Sequence, residues 1–550
     1  MRADRANAGR SRPTGWGGAI LGGGVAALVL AVAGCGSCKG KHRKPRPGEL
    51  IVHIGSEPPH LNPLLQEDVW LWRITLHNIF EGLLRRHPQS YKFVPALATR
   101  WSFSPGGRVL TFRIRKGVTF HDGKPFGADD VIFTFDRLMD PKVTSASSRS
   151  DFTELKKWEK SDADTVRLTF AKPGFKILES LSHLSILPRH VYGTGNLNNH
   201  PANHRPVGTG PFRFDSWRRG AAIVVSRYGG YWGPKPALRR VIYRIIKSKE
   251  KAFELLKKGE LDLMPRVLPQ HACGAKAPVR DPRIAKRYRL IIHYPVQFYT
   301  VVLNVQNPVL QDVRVRRALS LLVNRELIAD KIFCGRARRI SGPYWLGRPG
   351  YDARVKPRPY DPRQAAKLLA AAGWTDSDND GVLDRQGKRL ELTYLRFAES
   401  SVQRRLLPIL QEELRKAGLK LHVETISWTA ALKRMKQHRF DLTDLNWFYY
   451  YEQDLYQIYH SSQCHGGSNY GCYANPEVDR LLVQIRATLD DARRGALERK
   501  LHRLLHDDLP GLYLFNVGDL TVVSRRFTGV TPSAEWFQMR DIKPAPGSNE

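Results

Sequence analysis

The side-chain sets that run covalent chemistry are missing from this chain. No GxSxG elbow, HExxH pair, Walker loop or GxGxxG turn stands in a strand-to-helix context. The histidines are scattered. His502 and His506, one helical turn apart in KLHRLLHDD, have a spacing that could share a metal but are expected to face solvent beside Asp507 and Asp508. Recognition chemistry, by contrast, is concentrated. The segment NWFYYYEQDLYQIYH (446–460) carries Trp447, Phe448, Tyr449, Tyr450, Tyr451, Tyr456 and Tyr459, with Asp444 just ahead of it and Glu452 and Asp454 inside it. Aromatic faces stack on planar, sugar-like or cationic solutes, and carboxylates hold positive groups. Alternate residues of a strand point inward, so about half of these rings belong to a core. Trp447 and Tyr450 are the first pocket candidates; Tyr456 and Tyr459 are expected in the core.

Two other groups could hold an ion or a cross-link. DSDNDG (376–381) sets Asp376, Asp378 and Asp380 at the first, third and fifth positions of a calcium loop, with Gly381 at the sixth. The twelfth position is Gly387, where such loops need a bidentate acid, so a weak site completed by Asp384 competes with a plain acidic turn. No other cofactor is expected. In CHGGSNYGC three glycines let Cys464 and Cys472 close a short disulfide loop. A metal site from these thiols with His460 and His465 lacks the CxxC pairs of structural zinc sites. The pairing of Cys38, Cys273 and Cys334 stays open.

These residues must be positioned by a chain of 550 residues, enough for two or three packed units. With 42% hydrophobic and 25% charged residues, wholesale disorder and a multi-span membrane protein are excluded. The formal charge of +36 is spread along the sequence and sets the surface field, not the fold. Arg2, Arg5, Arg10 and Arg12 precede an apolar run from Gly17 to Gly34, the pattern of a signal peptide over 1–34. An uncleaved anchor helix is the alternative; both readings put the remainder outside the cytoplasm on a membrane tether. The basic stretch after Cys35, to residue 48, reads as a flexible leash. Beyond it, strand-like runs such as 109–120, 221–228, 240–247 and 299–305 alternate with amphipathic helical stretches at 312–332, 361–373, 403–418 and 477–508, which predicts an α/β fold.

LAVAGC, ending at Cys35, resembles the lipobox at which a bacterial signal peptidase cuts before a lipidated cysteine. The block PALATRWSFSPGGRVLTFRIRKGVTFHDGKPFGADDVIFTFDRLMDP (95–141) resembles the signature of extracytoplasmic solute-binding proteins of the peptide and nickel type, family 5. SEPPHLNPLL (56–65), GTGPFRF (208–214), GELDLM (259–264) and LNVQNPVLQDVRVRRALSLLVNRELI (303–328) follow in that family's order. The resemblance implies a two-lobed periplasmic-binding-protein type II fold with an extra domain on the first lobe. Lobe one would comprise 49–88, 206–296 and 516–550, the extra domain 89–205, and lobe two 297–515. Hinges are expected near 295–304 and 512–517. It further implies a binding protein and not an enzyme: a monomeric, lipid-anchored receptor of the bacterial cell envelope that passes a peptide or peptide-like solute to an ABC permease and ATPase.

In oligopeptide-binding relatives two tryptophans nineteen residues apart are followed, three residues on, by an aspartate for the ligand's ammonium group. Here Trp428 and Trp447 keep that spacing and Tyr450 stands in the aspartate's place. A phenol offers a dipole where a buried ammonium needs a counter-charge. Asp444, Glu452 and Asp454 are the replacement acids nearby, with Phe448 as a further ring and Glu57 presented from the opposite lobe. A receptor for haem or a metal chelate, or a basic surface lipoprotein for anionic polymers, are the alternatives. No nucleic-acid module is present.

Overall fold

A computed structural model describes residues 46–65, 68–533 and 536–547. The expected signal segment, Cys35, Cys38 and most of the leash lie outside the described residues. Among the described residues, no helix is long and apolar enough to cross a membrane.

The six residues Glu49–Ile54 are all buried. Such a run suits a strand covered on both faces, and this one pairs in parallel with Arg240–Ile245 and Leu263–Met264 near the middle of a seven-stranded sheet. Tyr288–His293 and Phe212–Arg218 form the edges of that sheet. A four-stranded antiparallel sheet, in the order Ala98–Phe103, Val109–Ile114, Thr165–Phe170, Leu155–Asp162, lies within the segment expected as the extra domain. Val109–Ile114 alternates, sending Leu110, Phe112 and Ile114 inward. Phe112, Val166 and Leu168 belong to one continuous core with Ile54, Phe80 and Val241, so this domain is fused to lobe one.

Lobe two is built on a six-stranded sheet in which Gly511–Val517 and Gln297–Leu303 are neighbours, flanked by Ala337–Arg339 and by Leu442–Phe448, Glu391–Phe397 and Lys420–Ile426. Helices Val313–Leu322, Arg325–Phe333 and Ser401–Lys416 contribute to a core over one face, centred on Tyr299, Leu319 and Tyr394. Pro476–Ala487 and Asp491–Asp508 contribute to another core with Phe298 and Tyr344. His502 and His506 do not face solvent as the sequence led us to expect. His502 is 0% exposed and its Nε2 lies 3.0 Å from Ser341 Oγ, while His506 Nδ1 bonds the Ser341 carbonyl at 2.8 Å. The loop through Ser341 to Tyr351 folds over this helix and encloses them. Burial presses His502 down to about 4, so it is neutral at neutral pH.

Two short crossovers join the lobes. The segments expected as hinges, 295–304 and 512–517, are mostly paired strands; the residues between the two sheets are 294–296 and Gly518. The Asn516 amide ties the crossovers, donating to the carbonyls of Pro295 and Gln297 at 2.9 Å each. A Cβ at Gly518 would stand 2.6 Å from Ile292 Cγ2, so only glycine lets the two chains pass this closely. A third link is covalent: Cys273, packed on the lobe-one core, is bonded to Cys334 at the end of helix Arg325–Phe333 in lobe two, Cα to Cα 5.7 Å. Cys464 and Cys472 form a second disulfide among the described residues.

Candidate functional site

Lobe two meets lobe one and the extra domain through the segment that follows strand Leu442–Phe448. As the strand ends, its chain leaves the sheet, and Tyr450 and Tyr451 become an inter-lobe surface while Tyr449 stays against Phe298 in the lobe-two core. Tyr450 stacks on His183 with ring centroids 4.2 Å apart and stands 6.3 Å from Trp72, both across the lobe boundary. Tyr451 stacks on Tyr91 at 4.5 Å with planes 9° apart. Phe175 reaches from the extra domain into the lobe-two core, and its N–H donates to the Arg486 carbonyl at 3.1 Å.

Beside these rings lies a buried set of six charges. Arg86 of lobe one donates to Glu179 and, at 3.2 Å, to Glu452 of lobe two. Glu452 also accepts from Arg348 at 2.9 Å and Arg494 at 3.4 Å, and Glu498 accepts from Arg348 at 2.6 Å. Burial alone would raise the Glu452 pKa; Arg348, Arg494 and Arg86 together outweigh it and hold the carboxyl below its usual value. The charges divide evenly by lobe. Arg86 keeps Glu179 on one side, while Arg348 and Arg494 keep Glu452 and Glu498 on the other. Parting the lobes at this point therefore strands no unpaired ion, which is what a reversible contact needs.

A cavity of about 490 Å³ opens between the extra domain and lobe two. Lys172, Lys176 and Arg486 supply positive charge to its wall, and Asp151, Glu154 and Asp454 negative charge. Its apolar wall includes Phe175, Tyr456 and Val483, the last half-exposed. Arg486 lies over the Tyr456 ring at 3.7 Å and pairs with Asp454 at 2.8 Å. This size is that of a small-molecule pocket, and the mixed charge suits a solute bearing both signs.

The expected site residues are only partly brought together. Tyr450 (43% exposed) is on the inter-lobe surface, Phe448 (59%) is exposed at the end of its strand, and Asp454 and Tyr456 line the cavity, Tyr456 also packing on the lobe-two core. Trp428 (46%) opens helix Trp428–Lys436 and packs edge-on against Phe397 at 4.9 Å, away from the cavity. Trp447 is half-buried, stacked toward Tyr470 at 6.2 Å. Asp444 is a correction: its carboxylate is buried in the lobe-two core and accepts from the Tyr299 and Tyr394 hydroxyls. It shares a strand face with Leu442, opposite Trp447, and burial raises its pKa. Glu452 is a second correction, since its oxygens are taken by the arginines. Glu57 turns to its own lobe, accepting from Trp217 Nε1 at 2.7 Å and Gly220 N at 3.0 Å, because the hairpin 212–227 brings those donors over it. Asp376, Asp378 and Asp380 gather their carboxylates within 4.8 Å. Asp384, the expected fourth ligand, instead accepts from Ser377 N at 3.0 Å and Ser377 Oγ at 2.6 Å. The sequence reading missed Arg86, Glu179, Arg348, Arg494 and Glu498, which carry no motif and are united only by the fold.

The profile of the bacterial extracellular solute-binding proteins, family 5 Middle, matches residues 92–469. The oligopeptide-binding protein AppA of Bacillus subtilis (strain 168) is 27% identical over 493 residues, covering 87% of this chain and 88% of that protein. Protein XP55 of Streptomyces lividans is 30% identical over 519 residues, covering 93% and 92% respectively. The structure of HbpA2 from Haemophilus parasuis superposes with a TM-score of 0.79 at 22% identity, covering 90% of this chain and all of the other. With the family profile matched over residues 92–469 and these relatives aligned over most of their length, the chain belongs to the bacterial extracellular solute-binding proteins of family 5, and is a binding protein, not an enzyme.

Proposed function

We propose that this chain is a lipid-anchored receptor, tethered through Cys35, that encloses a peptide or peptide-like solute between its lobes and delivers it to an ABC permease and ATPase. The observation that carries this reading is the 490 Å³ cavity between the extra domain and lobe two, each of whose two walls carries both acids and bases, with Lys176 beside Asp151 on one and Arg486 beside Asp454 on the other. A zwitterionic peptide offers an ammonium group, a carboxylate and apolar side chains, and each finds a counterpart there. The oligopeptide-binding name of the Bacillus relative supports the same solute class. Closure follows from contacts made to both lobes at once, which favour the closed form by the ligand's differential affinity for it over the open form.

The test is a thermal-shift screen with di- to pentapeptides, followed by small-angle scattering on any that bind. A peptide that raises Tm should also shrink the radius of gyration. Binding without contraction would count against closure, and no response to any peptide would remove the solute class. Labelled palmitate should enter the full-length chain in a bacterial host and not Cys35→Ser; equal labelling of both would remove the anchor.

A further inference from the structure

Arg73 sits on the short helix Val69–Thr75 of lobe one, one residue from the Trp72 that faces Tyr450 across the lobe boundary. Its side chain is enclosed, with 8% of the residue exposed. The guanidinium carbon lies 3.6 Å from the centroid of Trp536 and 4.9 Å from that of Trp70, and the two indoles meet edge to face at 6.1 Å. Nε and Nη1 are shielded from solvent and have no hydrogen-bond partner among the described residues. The acids whose fields reach it are engaged elsewhere: Asp519 pairs with Arg266 at 3.0 Å, and Asp68 caps the helix through the N–H groups of Trp70 and Leu71 at 2.8 Å each. Burial first, then Arg266, press the guanidinium down to about 9, and it stays charged at neutral pH.

A buried cation without a directly paired counter-ion is destabilising, and stacking on indole offsets only part of that cost. Beside it is a cavity of about 20 Å³ lined by Trp72, His77, Asn78, Trp536 and Phe537. That is room for one water-sized group. A carboxylate oxygen fits it, whereas a tetrahedral phosphate, which wants several donors, does not.

We infer that Arg73 is a subsite for a carboxylate of a bound solute, held by its N–H donors against the Trp536 face of lobe one, at a small cavity that shares no lining residue with the 490 Å³ one. This rests on the solute-binding reading above and adds to it an acidic group and the residue that selects it. The planar guanidinium matches a carboxylate's geometry, which lysine cannot reproduce.

Wild type, Arg73→Met and Arg73→Lys, each checked for unchanged circular dichroism, are titrated calorimetrically with peptides that bind wild type, each paired with its C-terminal amide and with Glu/Gln side-chain swaps. Neutralising the recognised carboxylate should weaken wild type about tenfold to hundredfold. In Arg73→Met the free and neutralised peptides should bind within about threefold of each other, and Arg73→Lys should recover only part of the difference. Which swap matters tells a terminal from a side-chain carboxylate. Full discrimination retained by Arg73→Met would overturn the proposal. If no peptide binds wild type, the peptide reading fails by itself and sodium acetate at constant ionic strength decides this one. A rise in Tm in wild type that Arg73→Met lacks supports the subsite; equal responses overturn it.

Discussion

Arg86 and Arg73 are two arginines of lobe one that are buried to nearly the same degree, 6% and 8% exposed, beside the surface where the lobes meet. Arg86 donates to Glu179, Glu452 and the Tyr91 carbonyl. Arg73 has indole faces and, among the described residues, no hydrogen-bond partner at Nε or Nη1. A charge whose partners belong to the protein makes a contact that lobes can form and release without a ligand. One left with aromatic faces alone is stable only in part until an anion arrives. The same residue type therefore serves closure in one place and, on our inference, selection in the other.

Breaking the satisfied set should have the largest effect. Glu452→Ala leaves Arg348, Arg494 and Arg86 with less counter-charge in a dry setting, and should cost about 3–5 kcal/mol in denaturant unfolding. A loss below about 1 kcal/mol would show that water reaches the cluster. Next is the covalent link between the lobes. Cys273 and Cys334 close a loop of 61 residues, worth up to about 4 kcal/mol in chain entropy. The double serine variant should lower Tm and, without ligand, enlarge the radius of gyration; an unchanged radius would mean that the staple does not limit opening. With it cut, the Arg86 to Glu452 contact is left with the Phe175 N–H to Arg486 carbonyl bond to resist opening, which sharpens the contrast with Arg73.

Acidity separates the two regions further. Glu452 has its folded pKa held below the ordinary 4.5, so the stability it contributes is fully present above pH 4.5 and is lost as pH falls through the lower folded value. The advantage of wild type over Glu452→Gln should shrink below pH 4.5 and be flat from 5 to 8. Arg73, at about 9, keeps its charge across that range, but burial first and then its field among others hold His293 below its usual value, so Arg73→Met should gain on wild type in denaturant unfolding as pH falls from 7 to 5. The smallest effect is expected at Tyr450. Tyr450→Ala removes the stack on His183 and should weaken ligand-induced closure by about 0.5–1.5 kcal/mol, read as a smaller Tm gain at saturating peptide.

Local pattern made much of the architecture legible. The alternation in 109–114 and the apolar run in 49–54 announce one half-covered and one fully covered strand, and the family's blocks are contiguous stretches whose order survives in the chain. Within the site, Tyr450 and Asp454 could be named because they fall in one aromatic, acidic segment that turns out to leave the sheet between the lobes. Spacing could not tell Asp444 from Asp454. The two stand ten residues apart in similar company, and which one is buried depends on where strand Leu442–Phe448 ends and on what lies behind it.

The sequence by itself determined the α/β class, the family and the absence of catalytic sets, since each is a property of residue types at short range. Tertiary structure alone decided the partners of charge. Arg86, Glu179, Arg348, Glu452 and the helical pair Arg494 and Glu498 come from five separate places in the chain, and Arg73 meets Trp536 across more than four hundred residues. Whether a buried ion is satisfied depends on distances of a few ångströms between segments remote in sequence, because Coulomb and hydrogen-bond energies fall off over that range while the sequence records only order along the chain.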